Sequence, residues 1–159
     1  MPPPVIRLAS IDDAPRIASW SRDLIESGLG WRWTAHRVAR AIADLATCTI
    51  VAEAGDARAG FAIMEFHDEH AHLSLLAIDP AWHGRGLGRA LVTWLEDSAR
   101  TAGIGTVYLE ARASNTAARR FYAALGYREL FLMPGYYRGR EAAIRLGHDV
   151  RRLTPEATG

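Results

Sequence analysis

The chain reads as an α/β protein built on a mixed sheet, in the order β-α-α-β-β-β-α-β-α-β-β. Three observations lead there. Between residues 48 and 78, three apolar, β-rich runs are separated by short turn signals, Gly55-Asp56 and His67-Asp68-Glu69-His70, the pattern of an antiparallel meander. A strongly periodic helix follows at once, with Leu87, Ala90, Leu91, Trp94, Leu95, Ala99 and Ala102 on its apolar face. A strand–helix–strand unit comes next, and a meander joined to such a unit makes a mixed sheet.

Taken in order, residues 5–8 form a short strand. Ser10-Ile11-Asp12-Asp13 has capping-box form, with Asp in place of Glu. Pro15 sits in the first turn, where its missing N–H is harmless. Ile17, Trp20, Ser21 and Leu24 line one helical face, and Gly28 ends the helix. A loop with Trp31 and Trp33 leads to Thr34, the cap of a second helix whose spacing uses Ala35, Val38, Ile42 and Leu45. Residues 48–54, 60–66 and a third run ending at Ile78 are the meander strands. In the long helix Arg89, Thr93, Glu96, Asp97 and Arg100 face outward and Gly103 is the C-cap. Residues 106–111 are a strand. Asn115 caps a helix through Ala124, and residues 127–133 are a strand broken by Pro134-Gly135. Residues 136–140 form a loop, and 142–146 a last strand. One domain is expected over 1–148, with 149–159 a mobile tail poor in apolar residues.

Composition narrows the classes. The 159 residues are 49% hydrophobic and 23% charged, an ordinary globular balance for one domain with a real core. A net charge of +1 gives no electrostatic case for a nucleic-acid partner. The single cysteine, Cys48, excludes a disulfide framework and reads as a buried, inert thiol. No run approaches a membrane span, and Met1-Pro2-Pro3-Pro4 lacks the regions of a signal peptide. A cytoplasmic protein is expected.

The chemistry centres on 78–89, Ile-Asp-Pro-Ala-Trp-His-Gly-Arg-Gly-Leu-Gly-Arg. A strand, a Gly-rich turn and a helix N-terminus make an anion site, because the first N–H groups of the helix lack intrahelical partners and lie at its positive end. Gly84, Gly86 and Gly88 let backbone approach a ligand, and Arg85 and Arg89 add charge. The spacing is not that of a P-loop, which ends Gly-Lys-Ser/Thr, nor the G-x-G-x-x-G of dinucleotide folds. The structural alternative is a tight turn into a helix.

His83, Gly86 and Gly88 instead fit the pattern Q/R-x-x-G-x-G/A, with His in place of Gln or Arg, and so resemble the pyrophosphate loop of the GNAT acetyltransferase superfamily. Residues 75–80, 108–115 and Phe121-Tyr122-Ala123-Ala124-Leu125-Gly126-Tyr127 resemble its neighbouring segments, so that roughly residues 73–130 carry the likeness. Leu109-Glu110-x-Arg112-Ala113-Ser114-Asn115, Tyr122, Tyr136-Tyr137, Gly139-Arg140-Glu141 and Trp33-Thr34 are similar to the bacterial ribosomal-protein alanine N-acetyltransferase group. Gly28-Leu29-Gly30 and Ala142 depart from that group's usual residues.

The resemblance implies a GNAT-type acyl-CoA N-acyltransferase fold and acetyl-CoA as cofactor, with CoA as product. It implies that backbone amides from His83 through Gly84, Arg85, Gly86, Leu87, Gly88 and Arg89 hold the pyrophosphate. It implies that pantetheine pairs with the edge of Leu76, Ala77 and Ile78 and contacts Asn115, whose other reading is a helix cap alone. Glu110 becomes the general base, its pKa raised in an apolar site; its other reading is a solvated charge or a salt bridge to Arg112. Tyr122 becomes the general acid, against a half-buried aromatic. Tyr136 and Tyr137 would bond a substrate backbone or pin their loop; Trp31 and Trp33 would wall the substrate or pack. His67, His70 and His72 could be metal ligands, but without acidic or Cys partners at defined spacing no metal is expected. The expected reaction is acetyl transfer to a protein or peptide N-terminal α-amine. The alternatives are a small-molecule amine, and a non-catalytic acyl-CoA sensor.

Overall fold

The computed structural model describes residues 3–151. The strands are β1 (Val5–Leu8), β2 (Thr47–Ala54), β3 (Ala57–Phe66), β4 (His70–Ile78), β5 (Thr106–Arg112), β6 (Arg128–Tyr137) and β7 (Glu141–Asp149). The helices are α1 (Ala14–Trp20), α2 (Ala35–Ala43), α3 (Leu87–Thr101) and α4 (Thr116–Ala124). The element order is the one expected. The seven strands lie in the order β1-β2-β3-β4-β5-β7-β6, with β4 and β5 parallel and β1–β2, β2–β3, β5–β7 and β6–β7 antiparallel. The chain divides into two compact units, one of residues up to Glu65 with Leu73–Leu95, the other of Phe66–His72 with the residues from Glu96 on.

In the first unit, β2 and β3 are apolar on both faces and buried on both, so Ile50 through Ala52 and Phe61 through Met64 are inaccessible. Ile17, Trp20 and Val38 from the helices pack with Val51, Phe61, Ile63 and Leu75, and Trp20 stacks on Phe61 with ring centroids 5.8 Å apart. Gly60 of β3 has a specific reason to be glycine. A Cβ there would come within 2.8 Å of both the Ala77 carbonyl oxygen and Ile78 Cδ1 on β4. The expected capping box is formed, with the Ser10 N–H donating to the Asp13 carboxylate at 2.8 Å; a backbone bond from the Asp13 N–H to the Ser10 carbonyl at 2.9 Å closes the same turn. Asp13 is fully buried between Arg7 and Arg58, each 2.8 Å away. Burial alone would raise its pKa, but the hydrogen bonds from Arg7 and Ser10 and the charges of both arginines hold it below the usual carboxylate range.

Two side chains of this unit differ from expectation. Leu24 is exposed, because Ser21–Ile25 widens into a π turn that shifts the helical phase and packs Ile25 against the core instead. Leu45 is fully exposed, because α2 ends at Ala43.

In the second unit, β5 alternates cleanly. Val107, Leu109 and Ala111 are buried, while Tyr108, Glu110 and Arg112 share the opposite face. Glu96, expected outward on α3, is buried. Its carboxylate accepts from the Tyr127 hydroxyl at 2.7 Å and lies 3.1 Å from His148 Nδ1. Ala102, expected inward, lies past the helix end and is exposed. Pro134-Gly135 does not break the strand. β6 is the sheet edge, where a missing N–H is tolerated, and Gly135 at φ 66° builds an irregularity between Met133 and Tyr137. Tyr136 and Tyr137 therefore lie on β6 rather than in a loop. β7 runs to Asp149 and Val150 is buried, while 152–159 of the expected tail lies outside the described residues.

Two stability outcomes are expected. Glu96→Ala strips the buried Tyr127 hydroxyl of its acceptor and should cost about 1–3 kcal/mol; a urea midpoint unchanged from wild type would refute the bond's importance. Asp13, with its depressed pKa, contributes stability that is complete above its unfolded value of about 3.9 and is lost as pH falls through the folded value. Asp13→Asn should therefore flatten the acid side of the urea-midpoint-versus-pH curve, and an unchanged slope there would assign the acid loss to other carboxylates.

Candidate functional site

Two sets of groups stand out, one in each unit. In the first unit, β4 ends at Ile78 and Asp79 organises the turn beyond it. The Asp79 carboxylate accepts from the Ala81 N–H at 2.9 Å, from the Trp20 indole at 3.1 Å and from Arg16 at 3.3 Å. The Ala81 amide first, then Trp20, hold its pKa below the usual range. Pro80–Trp82 makes a single 3-10 turn, and Arg85 lies over the Trp82 ring at 4.7 Å. Gly84 and Gly86 take φ of 76° and 77°, which favours glycine, and no atom lies within 4 Å of where a Cβ would stand. The loop thus carries no side chain at Gly84 and Gly86 ahead of Leu87, where α3 starts. That is the cradle a pyrophosphate needs: open space, first-turn amides and the positive end of a 15-residue helix. The His83 ring is turned back toward β4. Its Nε2 lies 3.0 Å from the Ile78 carbonyl, which can only accept, so the ring donates back to β4.

In the second unit, Glu110 is the focus. Its side chain is only 6% exposed. His72 Nε2 is 2.6 Å from Oε1, Arg145 is 2.8 Å from Oε2, and the Tyr136 hydroxyl donates to Oε1 at 3.4 Å. The register explains this. Glu110 faces Arg145 directly across the β5–β7 ladder, and His72 pairs with Tyr108, whose side chain shares the Glu110 face. Burial alone would push the Glu110 pKa up, yet the His72 hydrogen bond, the charges of His72 and Arg145, and Tyr136 hold it down. This corrects the expected raised pKa: the site is buried but not apolar. Nor does Glu110 pair with Arg112, which bonds Glu141 at 3.1 Å.

Asn115 caps α4, accepting from the Ala118 N–H at 3.0 Å. Tyr122 is buried, edge-on to Phe121 and Tyr127 at 5.0 and 5.6 Å. Burial, then Tyr137, pushes its hydroxyl pKa well above the ordinary phenol value, so it is a proton-bearing donor at any working pH. Tyr137 is pushed up to about 12, chiefly by burial, whereas Tyr136 is exposed and set edge-on to it at 4.9 Å.

Trp33 packs against the first unit's core under Arg37, 3.8 Å above its ring. Trp31 is exposed, tied through its indole to the Ala18 carbonyl at 3.2 Å. Buried Glu26 fixes this loop by accepting from the Ser21 hydroxyl and the N–H groups of Arg32 and Trp33. His67 stacks on His70, and His70 lies edge-on to Tyr108. Among the described residues, no three His, Cys, Asp or Glu side chains gather to hold a metal, and no helix is long and apolar enough to cross a membrane.

The family model described as the Acetyltransferase (GNAT) family matches residues 8–127, three quarters of the chain. The chain belongs to the GNAT acetyltransferase family. It is 43% identical over 94 residues to the ribosomal protein bS18-alanine N-acetyltransferase of Salmonella typhimurium. That match takes 57% of this chain and 64% of the relative, so less than two thirds of the relative's length is spanned. The crystal structure of the ribosomal-protein-S18-alanine N-acetyltransferase from Escherichia coli superposes with a TM-score of 0.79 at 26% identity, covering 98% of this chain and 99% of that one. The yncA protein of Salmonella typhimurium, solved with its cofactor acetyl-CoA, has a TM-score of 0.79 at 21% identity over 97% and 98% of the two chains; at that identity the likeness shows the fold alone.

Within this GNAT chain, two residues that approach Glu110 escape a reading of the sequence. The spacing offers His72 only as a metal ligand, and nothing local singles out Arg145. Period 2 places His70 and His72 on one face of their strand, but it does not say which strand lies beside it.

Proposed function

We propose that this GNAT protein transfers the acetyl group of acetyl-CoA to the α-amine of a protein or peptide N-terminus. The observation that carries it is the Glu110 cluster, an ionised carboxylate held in place beside an exposed tyrosine in a stretch resembling alanine N-acetyltransferases. In this reading the amides of 83–89 hold the cofactor's pyrophosphate, while the backbone edge of Leu76, Ala77 and Ile78 and the Asn115 side chain hold its pantetheine. When bound, acetyl-CoA supplies the thioester that the amine attacks. An α-amine has a pKa of about 8, so only about one molecule in ten is neutral at pH 7. Glu110 serves the removal of its proton. Tyr122 donates to the departing sulfur. Its hydroxyl, held well above the thiol range of about 8.5, stabilises the thiolate chiefly through a hydrogen bond. Tyr136, Tyr137 and Trp31 contact the acceptor backbone, and Trp33 supports the loop. The reading implies an acceptor protein and a cytoplasmic location.

Thiol release from acetyl-CoA tests this against peptides beginning with Ala, Ser, Met or Pro, beside aminoglycosides, polyamines and free amino acids. An enzyme-only blank corrects for Cys48. Turnover on peptides supports the proposal and the preferred first residue narrows the target. Turnover confined to small amines replaces the acceptor class, and cofactor binding with no turnover on any acceptor favours a sensor. Tyr122→Phe should lower kcat tens-fold or more while acetyl-CoA still raises the melting temperature. Full activity in that variant removes the donor role.

A further inference from the structure

The β6–β7 hairpin turns through Arg138 and Gly139. The Arg140 N–H donates to the Tyr137 carbonyl at 3.0 Å, and the Gly139 N–H to the Gly135 carbonyl at 2.8 Å. Both central residues have positive φ, 55° at Arg138 and 71° at Gly139, as a type I′ turn requires. The ordinary first residue of such a turn is Asn, Asp or Gly. Arg138 is the one non-glycine residue at positive φ among the described residues, and its Cβ crowds the backbone there. Its side chain makes no contact that offsets this strain. Arg138 and Arg140 are exposed, and neither forms a side-chain hydrogen bond, ion pair or ring contact among the described residues. The anions around them are already matched. Every carboxylate of β6 and β7 is paired: Glu129 with Arg119 at 2.8 Å, Glu141 with Arg112 at 3.1 Å and Asp149 with Arg151 at 2.7 Å. Glu110 is held by Arg145 and His72. The hairpin therefore ends in two unmatched cations, one of them kept at a cost to the backbone.

We propose that Arg138 and Arg140 select acceptors whose N-terminal segment is acidic, by pairing with carboxylates a few residues behind the α-amine. This rests on the N-acetyltransferase reading and names the class of acceptor it serves. The register supplies the spacing. Glu110 stands opposite Arg145 and Tyr137 opposite Glu141, so the turn begins four residues along β7 from the partner of Glu110. At about 3.3 Å per residue that is roughly 13 Å, the span of about four residues of an extended acceptor. With the α-amine at Glu110, carboxylates at about the third to fifth residues reach the guanidinium groups. Tyr136, whose hydroxyl meets Glu110, and Tyr137 immediately precede the turn and join the two ends of this track. A guanidinium fork matches a carboxylate in two parallel hydrogen bonds, so such contacts carry geometry as well as charge. The chain as a whole carries a net charge of only +1, so the selection comes from the hairpin and not from the protein's overall field.

Three peptides test this, beginning Ala-Ser-Glu-Glu-Glu, Ala-Ser-Gln-Gln-Gln and Ala-Ser-Lys-Lys-Lys and continued by one neutral segment. An exposed ion pair is worth up to about fivefold. Two such pairs gained with Glu and two repulsions met with Lys should give the Glu peptide about a tenfold or greater advantage in kcat/KM over the Lys peptide at low salt. The advantage should shrink as ionic strength approaches about 1 M, where charges are screened within about 3 Å. Arg138→Asn/Arg140→Gln gives the turn a residue suited to positive φ, so the hairpin is kept. It should raise KM for the Glu peptide about fivefold or more, with the loss in KM rather than kcat, and bring the three peptides together. Arg138→Glu/Arg140→Glu should reverse the order, a gain on the Lys peptide that misfolding cannot produce. Peptide turnover with no preference for acid, a preference for the Lys peptide, or an unchanged order in the charge-reversed variant overturns the proposal and leaves the acetyltransferase reading standing. Turnover confined to small amines, or absent on every acceptor, overturns that reading and the proposal with it.

Discussion

A carboxylate taken out of water must be neutralised, paired or protonated, and the second unit is arranged so that Glu110 is paired. The constraint reaches across three strands. β7 must lie beside β5 in the register that sets Arg145 opposite Glu110, and β4 must bring His72 to the same face. Shifting either strand by one residue would turn its partner for Glu110 to the other face and strand a buried charge. The sheet order β5-β7-β6, with the last two strands out of sequence order, is thus also an electrostatic arrangement. β6 then lies outermost, which lets Pro134 sit in a strand and places Tyr136 where its hydroxyl meets the same carboxylate.

The first unit solves a different problem, how to present backbone rather than side chains. Asp79 gathers an amide, an indole and a guanidinium, and so fixes the turn by which β4 leaves the sheet. The glycines then strip the loop before α3 begins. In the proposed function a pyrophosphate is held here by backbone amides, and His83, where the resembled pattern has Gln or Arg, removes none of them. The histidine bonds the carbonyl of Ile78 and braces the loop from behind.

Much of this is legible in the chain. The element order and the Gly-rich loop follow from periodicity and turn chemistry, which are local. The caps at Ser10, Thr34 and Asn115 are readable for the same reason. The failures are equally physical. Leu24 falls out of the core through one π turn, which no spacing rule anticipates. Glu96 looks like one more charge on a polar helical face, because its partners Tyr127 and His148 arrive from 31 and 52 residues away. Glu110 stands out in the sequence, but the sign of its pKa shift does not, since that depends on Arg145 and His72 rather than on its own neighbours. The loop expected at Pro134-Gly135 rests on a rule that holds inside sheets and relaxes at their edges.

Gly60 carries a consequence for how this protein can vary. It touches none of the groups assigned to chemistry, yet any side chain there would press on Ala77 and Ile78 closer than van der Waals contact allows. Those two residues belong to the strand edge that the proposed function gives to pantetheine. The volume of one position on the neighbouring strand therefore governs where that edge can lie. A lineage that needed a weaker or tighter grip on its acyl donor could adjust it from β3, leaving every ligand-facing residue as it is.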